Sequence, residues 1–214
     1  MSPASRKTQG PSSSNQLFVT RGVDFLAGKP LGALSESEMF GVYAMGYRYA
    51  VDILLERITR SWRSRAEKDF LLYPIAFCAR HHLELALKEV YLLVADCRNK
   101  KVDLRRELKS HELVRLWGRC LPMVRQVWPK GPEEDLTAAS QLLAEFEEHD
   151  ARSFAFRYPV DLNGQDSLPN LDPFDLKAFY RLFANLSRLL EGISSGLSAV
   201  LEARRELSER ASRK

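Results

Sequence analysis

The chain has 214 residues, of which 45% are hydrophobic and 28% are charged, and its formal net charge is +4. These values are ordinary for a soluble globular protein and provide enough apolar surface for one well-buried domain. The mild basic excess permits contact with nucleic acid or another acidic partner without requiring it. No apolar run approaches the roughly 18 residues of a membrane span, so the sequence predicts no membrane association.

The cysteine content and the N-terminus indicate the compartment. Three cysteines, at positions 78, 97 and 120, are too few and too scattered for a disulfide framework. Residues 1–16 are rich in Ser, Pro, Gly and Gln and lack the apolar core of a secretory signal. The sequence therefore predicts a cytoplasmic protein with a disordered tail over residues 1–16.

A single domain is predicted over residues 17–209, followed by a frayed tail over residues 210–214. Its first helix begins after Ser35, because Ser35 and Glu38 have the spacing of a capping box. One apolar face, which we expect to be buried, is indicated by a periodic set of residues: Met39, Val42, Met45, Tyr49, Ile53 and Leu54.

Three further helices are predicted before residue 150. The second spans about 69–95 and contains Pro74. A basic loop leads to the third, which Ser110 is expected to cap and Pro122 to bend or break. The fourth begins near Pro132 and continues to about residue 149, with acidic residues at the positive end of its dipole.

An extended segment separates the fourth helix from the last one. Aromatic and β-branched residues between 150 and 170, with Asn163-Gly164 as a turn signal, predict an arm or a short hairpin. Asp172 is the expected cap of the last helix, with Pro173 as its first residue and Asp175 in its first turn. The predicted fold is all-α: an up-and-down bundle of about five helices with a short extended arm before the last helix.

The stretch "AFCARHHLELALKEVYLLVA" in the second helix carries a narrow polar stripe bordered by apolar residues on both sides. One interpretation is an exposed ladder of i, i+4 ion pairs. The other is a buried polar cluster that anchors the arm, and here we predict that Glu84 pairs with Arg157 or with a backbone group of the arm. The cluster would comprise Arg80, His81, Glu84, Lys88, Asp150, Arg157 and Tyr158.

Known catalytic motifs are largely missing from the chain. His81 and His82 are adjacent and point about 100° apart on a helix, and no Cys-x-x-Cys pair is present, so neither a metal site nor a cofactor is predicted. Walker A, Gly-x-Gly-x-x-Gly and Gly-x-Ser-x-Gly motifs are also missing. One pattern remains, an Arg-x4-His formed by Arg106 and His111, in which a histidine can transfer protons and an arginine can stabilise phosphate charge.

Three segments together resemble the HEPN superfamily, in particular its branch of bacterial helical proteins. They are "ARHHLELALKEVYLL", "HELVRLW" and "DARSFAFRYPVD", followed by a long terminal helix. The resemblance covers roughly residues 36–205. It implies a helical bundle that forms a homodimer, and in catalytic members paired Arg-x4–6-His motifs cleave RNA, often in toxin–antitoxin or phage-defence systems.

The sequence departs from the catalytic pattern, because its Arg-x4-His precedes the third helix whereas the family motif belongs near the last core helix. The favoured hypothesis is therefore a non-catalytic HEPN-like domain that binds RNA or a partner protein. Its RNA contacts would come from the basic loop: Arg98, Lys100, Lys101, Arg105, Arg106 and Lys109. The alternative is a metal-independent endoribonuclease that uses Arg106 and His111, or the group formed by Arg80, Glu84 and Arg157.

Overall fold

A computed structural model describes residues 34–60, 65–150, 152–169 and 175–213 of the chain. The predicted disordered tail and the start of the predicted domain lie outside these residues. The described part contains six helices and thereby confirms the all-α bundle. They are α1 (Glu36–Arg60), α2 (Arg65–Cys97), α3 (Leu104–Glu107), α4 (Leu113–Val127), α5 (Glu133–Asp150) and α6 (Leu176–Ser212).

Helix α2 is the central element, because it is apolar on nearly all sides. Its residues between Leu83 and Cys97 are almost continuously buried, which is the pattern of a helix enclosed by neighbours. Helices α1, α4 and α6 all pack against it, and α5 packs against α4 and α6. Any polar side chain in the middle of α2 therefore lies inside the protein.

The helix directions follow from contacts at successive levels of α2. Along α1 the contacts move in the opposite direction, since Ala44 meets His82 whereas Tyr47 meets Phe77. At α4 they move in the same direction: His111, just before α4, meets Glu84, whereas Arg119 within α4 lies over Tyr91. Helix α4 thus runs parallel to α2, because the connection over residues 98–112 returns along the bundle before α4 begins. This arrangement differs from a strict up-and-down order.

The buried face of α1 is not the predicted one. Its core residues are Ala44, Val51, Leu55 and Ile58, with Ser37 buried at the start. Of the six predicted residues, Leu54 packs against the core and Met39 and Met45 are half-buried. The other three, Val42, Tyr49 and Ile53, are exposed on the opposite side. The apolar spacing was identified correctly, but α1 is apolar on two faces, and periodicity alone does not say which of them meets α2.

One helix start confirms the predicted cap, and two differ from the prediction. At α1 the Glu38 carboxylate accepts a hydrogen bond from the Ser35 backbone at 2.7 Å, so the capping box is present. Ser110 does not cap α4: the helix begins three residues later, and Glu147 of α5 accepts a hydrogen bond from the Val114 backbone at 2.8 Å. Asp175 was predicted in the first turn of the last helix, but it is the cap of α6. The predicted cap and first residue, at positions 172 and 173, lie outside the described ranges.

Other boundaries extend beyond the predicted ones. The basic loop contains the short helix α3, which Asp103 caps through hydrogen bonds from two backbone N–H groups. Helix α4 continues through Pro122, and α6 continues to Ser212 instead of fraying after residue 209. In the arm, an isolated antiparallel bridge joins Val160 and Asp166 around a turn in which Gly164 has a φ of +76°, as expected for the predicted short hairpin.

Within the described ranges, no helix combines the length and the apolar character needed to cross a bilayer.

His82 joins α1 to α2 and must stay uncharged to do so. Its ring is 1% exposed, Nδ1 lies 2.9 Å from the Ala44 carbonyl oxygen, and Nε2 has no hydrogen-bond partner within the described part of the protein. Burial lowers the pKa of His82 to about 4, because the cation would be desolvated.

This lowered pKa predicts a loss of stability in mild acid. In the unfolded chain the histidine has a pKa of about 6.5, so between that pH and about 4 the unfolded state binds one more proton and the free energy of unfolding falls as the pH is lowered. The loss across this window should be about 3 kcal/mol, on top of that from carboxylates. Urea denaturation of His82→Gln between pH 7 and 4.5 should show a shallower pH dependence. His149→Gln, which changes an exposed histidine, should retain the wild-type slope.

Candidate functional site

A cluster of charged side chains lies inside the bundle at the middle of α2. Arg80, Glu84 and Lys88 follow one another at one-turn intervals and are 0%, 1% and 6% exposed. The interpretation as an exposed ion-pair ladder is therefore wrong, because neighbouring helices cover the polar stripe. Such buried charges are stable only when each has partners.

Glu84 is the centre of the cluster. One carboxylate oxygen, Oε1, accepts hydrogen bonds from Lys88 at 2.7 Å and from His111 at 2.9 Å. The other, Oε2, accepts one from the Arg80 guanidinium at 3.3 Å. Burial alone would raise the pKa of Glu84, but the hydrogen bonds from Lys88 and His111 and the positive charge of Lys88 outweigh it and lower the pKa. The carboxylate is thus held in its charged form.

Arg80 connects α2 to two other parts of the chain. Its guanidinium donates to the His111 carbonyl at 2.5 Å and to the Asp150 carbonyl at 3.3 Å. The first carbonyl precedes α4 and the second belongs to the last residue of α5. Burial lowers the pKa of Arg80, whereas the nearby carboxylates raise it. Arg80 therefore holds the start of α4 and the end of α5 against α2.

Asp150 extends these contacts to the arm. Its Oδ1 accepts hydrogen bonds from the backbone N–H groups of Phe154, at 2.6 Å, and Ala155, at 3.0 Å. The carboxylate is 3% exposed, so these are buried charge-assisted hydrogen bonds. The polar cluster therefore does meet the arm, but it does so through Asp150. Arg80 binds the backbone carbonyl of Asp150, and the Asp150 carboxylate binds the backbone of the arm.

The predicted Glu84–Arg157 pair is wrong. The Arg157 guanidinium lies over aromatic rings at 5.6 Å from Phe77, 6.0 Å from Phe154 and 5.7 Å from Tyr158. Arg157 is exposed, and cation–π contact replaces the ion pair that we expected. Tyr158, another member of the predicted cluster, is half exposed and belongs to this stack instead of the buried ions.

His81 lies between the ions and the aromatic stack. Its ring stacks on Phe77 at 5.7 Å and meets the edge of Tyr47 at 4.4 Å. Burial lowers the pKa of His81, Glu84 raises it, and the cations Lys88, Arg80 and Arg157 lower it further, so the net shift is downward. His81 is therefore a packing residue whose ring is kept neutral by its surroundings.

His111 is the one member of the cluster with a largely accessible side chain, which is 56% exposed. Because the buried Glu84 carboxylate binds Nδ1, it fixes the orientation of the His111 ring. Nε2 is then the nitrogen available to a ligand. Arg106 does not complete a pair with it. Arg106 is exposed on α3, and its guanidinium makes no hydrogen bond within the described part of the chain.

The basic connection between α2 and α4 is exposed, and its acidic residues are largely engaged in local structure. Asp103 caps α3, and Glu107 binds both Lys100 and the Tyr91 hydroxyl. Those hydrogen bonds lower the pKa of Glu107 to about 2. Lys100 is thus less available than we predicted. Over the described ranges, the remaining basic side chains have no acidic partner: Arg98, Lys101, Arg105, Arg106 and Lys109.

Sequence reasoning missed two residues at this surface. The Tyr91 ring lies under Lys100 at 5.7 Å and under the Arg119 guanidinium at 5.6 Å. Together with Arg98 they line a depression of about 400 Å³ at the end of α2. The basic loop was recognisable in the sequence from its charge. Nothing in the sequence indicated that Tyr91 of α2 and Arg119 of α4 would lie next to that loop.

Among the described residues, no group of three or more His, Cys, Asp or Glu side chains is placed to hold a metal ion. Comparison of the chain with family models, with curated proteins and with solved structures finds no significant match. The site is therefore interpreted from its own geometry.

The buried position of Glu84 predicts a large cost for removing its charge. Glu84→Gln preserves the shape but leaves the Arg80 and Lys88 cations without a counterion, so the free energy of unfolding should fall by about 3–5 kcal/mol. Glu56→Gln is the matched control, because Glu56 forms an exposed i, i+4 pair with Arg60 and its loss should cost under ~1 kcal/mol. Chemical denaturation measures both. Equal small losses would contradict a buried cluster.

Proposed function

We propose that this chain is a HEPN-like helical module that binds RNA through the connection between α2 and α4. The proposal depends on one observation: the connection carries a set of exposed cations that have no acidic partner over the described ranges. Lysine and arginine side chains free of internal pairing can neutralise phosphates and release counterions, which is the main source of affinity for nucleic acid.

The arrangement of charges supports a phosphate-binding surface more strongly than the net charge does. Three acids lie within the connection: Asp103 and Glu107 are engaged by the α3 backbone and by Lys100, and Glu112 pairs with Arg115 of α4. Their negative charge is thus partly offset, whereas the basic side chains point into solvent. Arg119, whose guanidinium lies over the buried Tyr91 ring, adds a further cation at the edge of the same surface. Closely spaced cations of this kind suit contact with the phosphates of an RNA strand.

The HEPN assignment is supported by the residues that carry the resemblance. Arg80, Glu84 and Lys88 come from one motif and His111 from another, and they contact one another in the ion cluster. Two separate motifs thus form one structural unit. A role in a toxin–antitoxin or phage-defence system follows from the resemblance alone.

Removing three cations from the connection tests RNA binding. Lys101→Gln/Arg105→Gln/Lys109→Gln should weaken binding to single-stranded RNA at least about tenfold. It should also reduce the slope of log K against log salt by about two, since each phosphate contact contributes about 0.7. The matched control is Lys177→Gln/Arg181→Gln/Arg205→Gln on α6, which removes the same charge from another exposed surface.

Fluorescence anisotropy over a range of salt concentrations measures both quantities. Equal weakening by the two triple variants would mean that the net charge, and not the connection, attracts RNA. No binding at low salt would refute the proposal outright.

A second candidate, a metal-independent endoribonuclease, is favoured by one observation, the Glu84–His111 contact. A neutral His111 with its proton on Nδ1 presents an unprotonated Nε2, which could accept the proton of a ribose 2′-hydroxyl. The 2′-oxygen would then bond to phosphorus as the bond to the 5′-oxygen breaks, and the departing 5′-oxygen would take up a proton from solvent. Against this candidate, Arg106 makes no contact with His111, Arg80 is fully buried, and Glu147 occupies the backbone N–H of Val114 at the start of α4.

Incubation of the purified protein with total RNA in chelator separates the two candidates. The binding proposal expects no cleavage by the wild type. Cleavage that falls by a factor of about 10² or more in His111→Ala, but not in His149→Ala, would establish the histidine as the proton-transfer group. Including Arg106→Ala and Arg157→Ala shows whether either arginine stabilises phosphate charge.

A further inference from the structure

The arm and the first half of α2 form a second concave site, the arm pocket, with a volume of about 790 Å³. Sites that bind small molecules or single units of a polymer have volumes of roughly 300–1,000 Å³ and mostly apolar walls with a few polar groups. The arm pocket has this composition. Its apolar and aromatic lining consists of Tyr73, Phe156, Tyr158, Pro159, Val160 and Leu168.

Arg157 supplies the positive charge of the arm pocket. Its guanidinium contacts the rings of three aromatic residues, and over the described ranges it makes neither an ion pair nor a hydrogen bond. Contact with the rings holds the planar group in place without using its N–H donors. These donors are therefore available to hydrogen-bond acceptors of a ligand, and a phosphate oxygen is the acceptor that a guanidinium binds most strongly.

The other polar groups of the pocket suit the edge of a nucleobase. The Ser167 hydroxyl is buried and has no hydrogen-bond partner among the described residues, so a ligand that binds it would remove an unfavourable feature. The Asp166 carboxylate accepts one hydrogen bond, from the Leu168 backbone at 2.9 Å, and has capacity for others. Tyr73 and Tyr158 line the pocket and are 48% and 50% exposed. Aromatic rings, a planar cation and hydrogen-bonding side chains are the groups that bind unstacked bases of RNA.

The arm pocket lies on the same face of α2 as the ion cluster and the basic connection. At 100° per residue, Tyr73, Arg80, Glu84 and Tyr91 fall within an arc of about 40°. Tyr73 lines the arm pocket, whereas the connection contacts the same face at Glu84 and at Tyr91. The pocket and the exposed cations are therefore neighbours along one side of the bundle.

We propose that the arm pocket binds one unstacked base of an RNA strand whose phosphates contact the connection between α2 and α4. This inference rests on the proposed function and names the second part of the strand that the protein recognises. Residues 73 and 84 are separated by roughly 16 Å along the helix axis, a distance that a few nucleotides span. The phosphate next to the bound base lies beside Arg157. A duplex would not fit, because its bases are paired and stacked.

Fluorescence anisotropy with two single strands tests the proposal on the full chain. One strand is an octauridylate, and the other has the same ribose–phosphate chain without bases, so that both present the same number of phosphates. The wild type should bind the octauridylate at least about fivefold more tightly, since stacking of one base on an aromatic side chain contributes that much or more. The slope of log K against log salt should be the same for both strands.

Variants of the pocket separate base binding from phosphate binding. Tyr73→Ala/Tyr158→Ala should bring the two affinities within about twofold of each other without changing the affinity for the strand that lacks bases. Tyr73→Phe/Tyr158→Phe should keep most of the preference, because the rings remain. Tyr180→Ala is the matched control, since Tyr180 is a 40% exposed tyrosine on α6, and it should keep the whole preference. Arg157→Gln should reduce the salt slope for both strands by about 0.7, the contribution of one phosphate.

Equal affinity of the wild type for the two strands would overturn this inference and leave RNA binding through the connection intact. A preference for bases that survives Tyr73→Ala/Tyr158→Ala, or a salt slope that Arg157→Gln leaves unchanged, would show that the strand does not pass the arm. Uridine monophosphate that binds as tightly as the octauridylate would assign the pocket to free nucleotides instead. Binding of neither strand at low salt would refute the proposed function itself.

Discussion

The arrangement of this bundle depends on one buried carboxylate. Glu84 compensates two buried cations on its own helix and orients the partly exposed His111, which precedes the next long helix. Because buried charges are strongly unfavourable when unpaired, this set of contacts is satisfied in one relative position of α2, α4 and α5. Apolar packing alone would accept small rotations and shifts of these helices, whereas the ion cluster accepts few.

The cluster also links the interior to two surfaces. Through Arg80 and Asp150 it fixes the start of the arm, where Arg157, Phe154 and Tyr158 form an exposed aromatic–cation stack. Through His111 it reaches the end of the basic connection. A change in the protonation or occupancy of His111 would be felt at the buried carboxylate directly beneath it. The exposed groups are thus positioned by the interior, not by local loop structure.

Helix α1, in contrast, is held mainly by apolar packing and not by buried ions. It is apolar on two faces, and α2 covers only one of them. Its contact with α2 includes a buried neutral histidine and little charge.

The sequence by itself determined the helical class, the capping box of α1, the turn of the arm and the presence of unusual polar residues in α2. Each of these depends on interactions between residues close in the chain, which spacing and residue type express directly. It also indicated that Asp150 and the arm belong to the polar cluster, since a carboxylate and an aromatic segment beside a buried stripe need partners.

Only the tertiary structure decided which partners were chosen. The cap of α4 comes from Glu147, 33 residues away, and the partner of Glu84 is His111 instead of Arg157. The apolar periodicity of α1 likewise could not say which of two faces meets α2. These choices depend on how the connection over residues 98–112 returns along the bundle, and that path is set by the packing of distant helices. Local propensity carries no information about it, because the competing pairs are equally favourable until the helices are assembled.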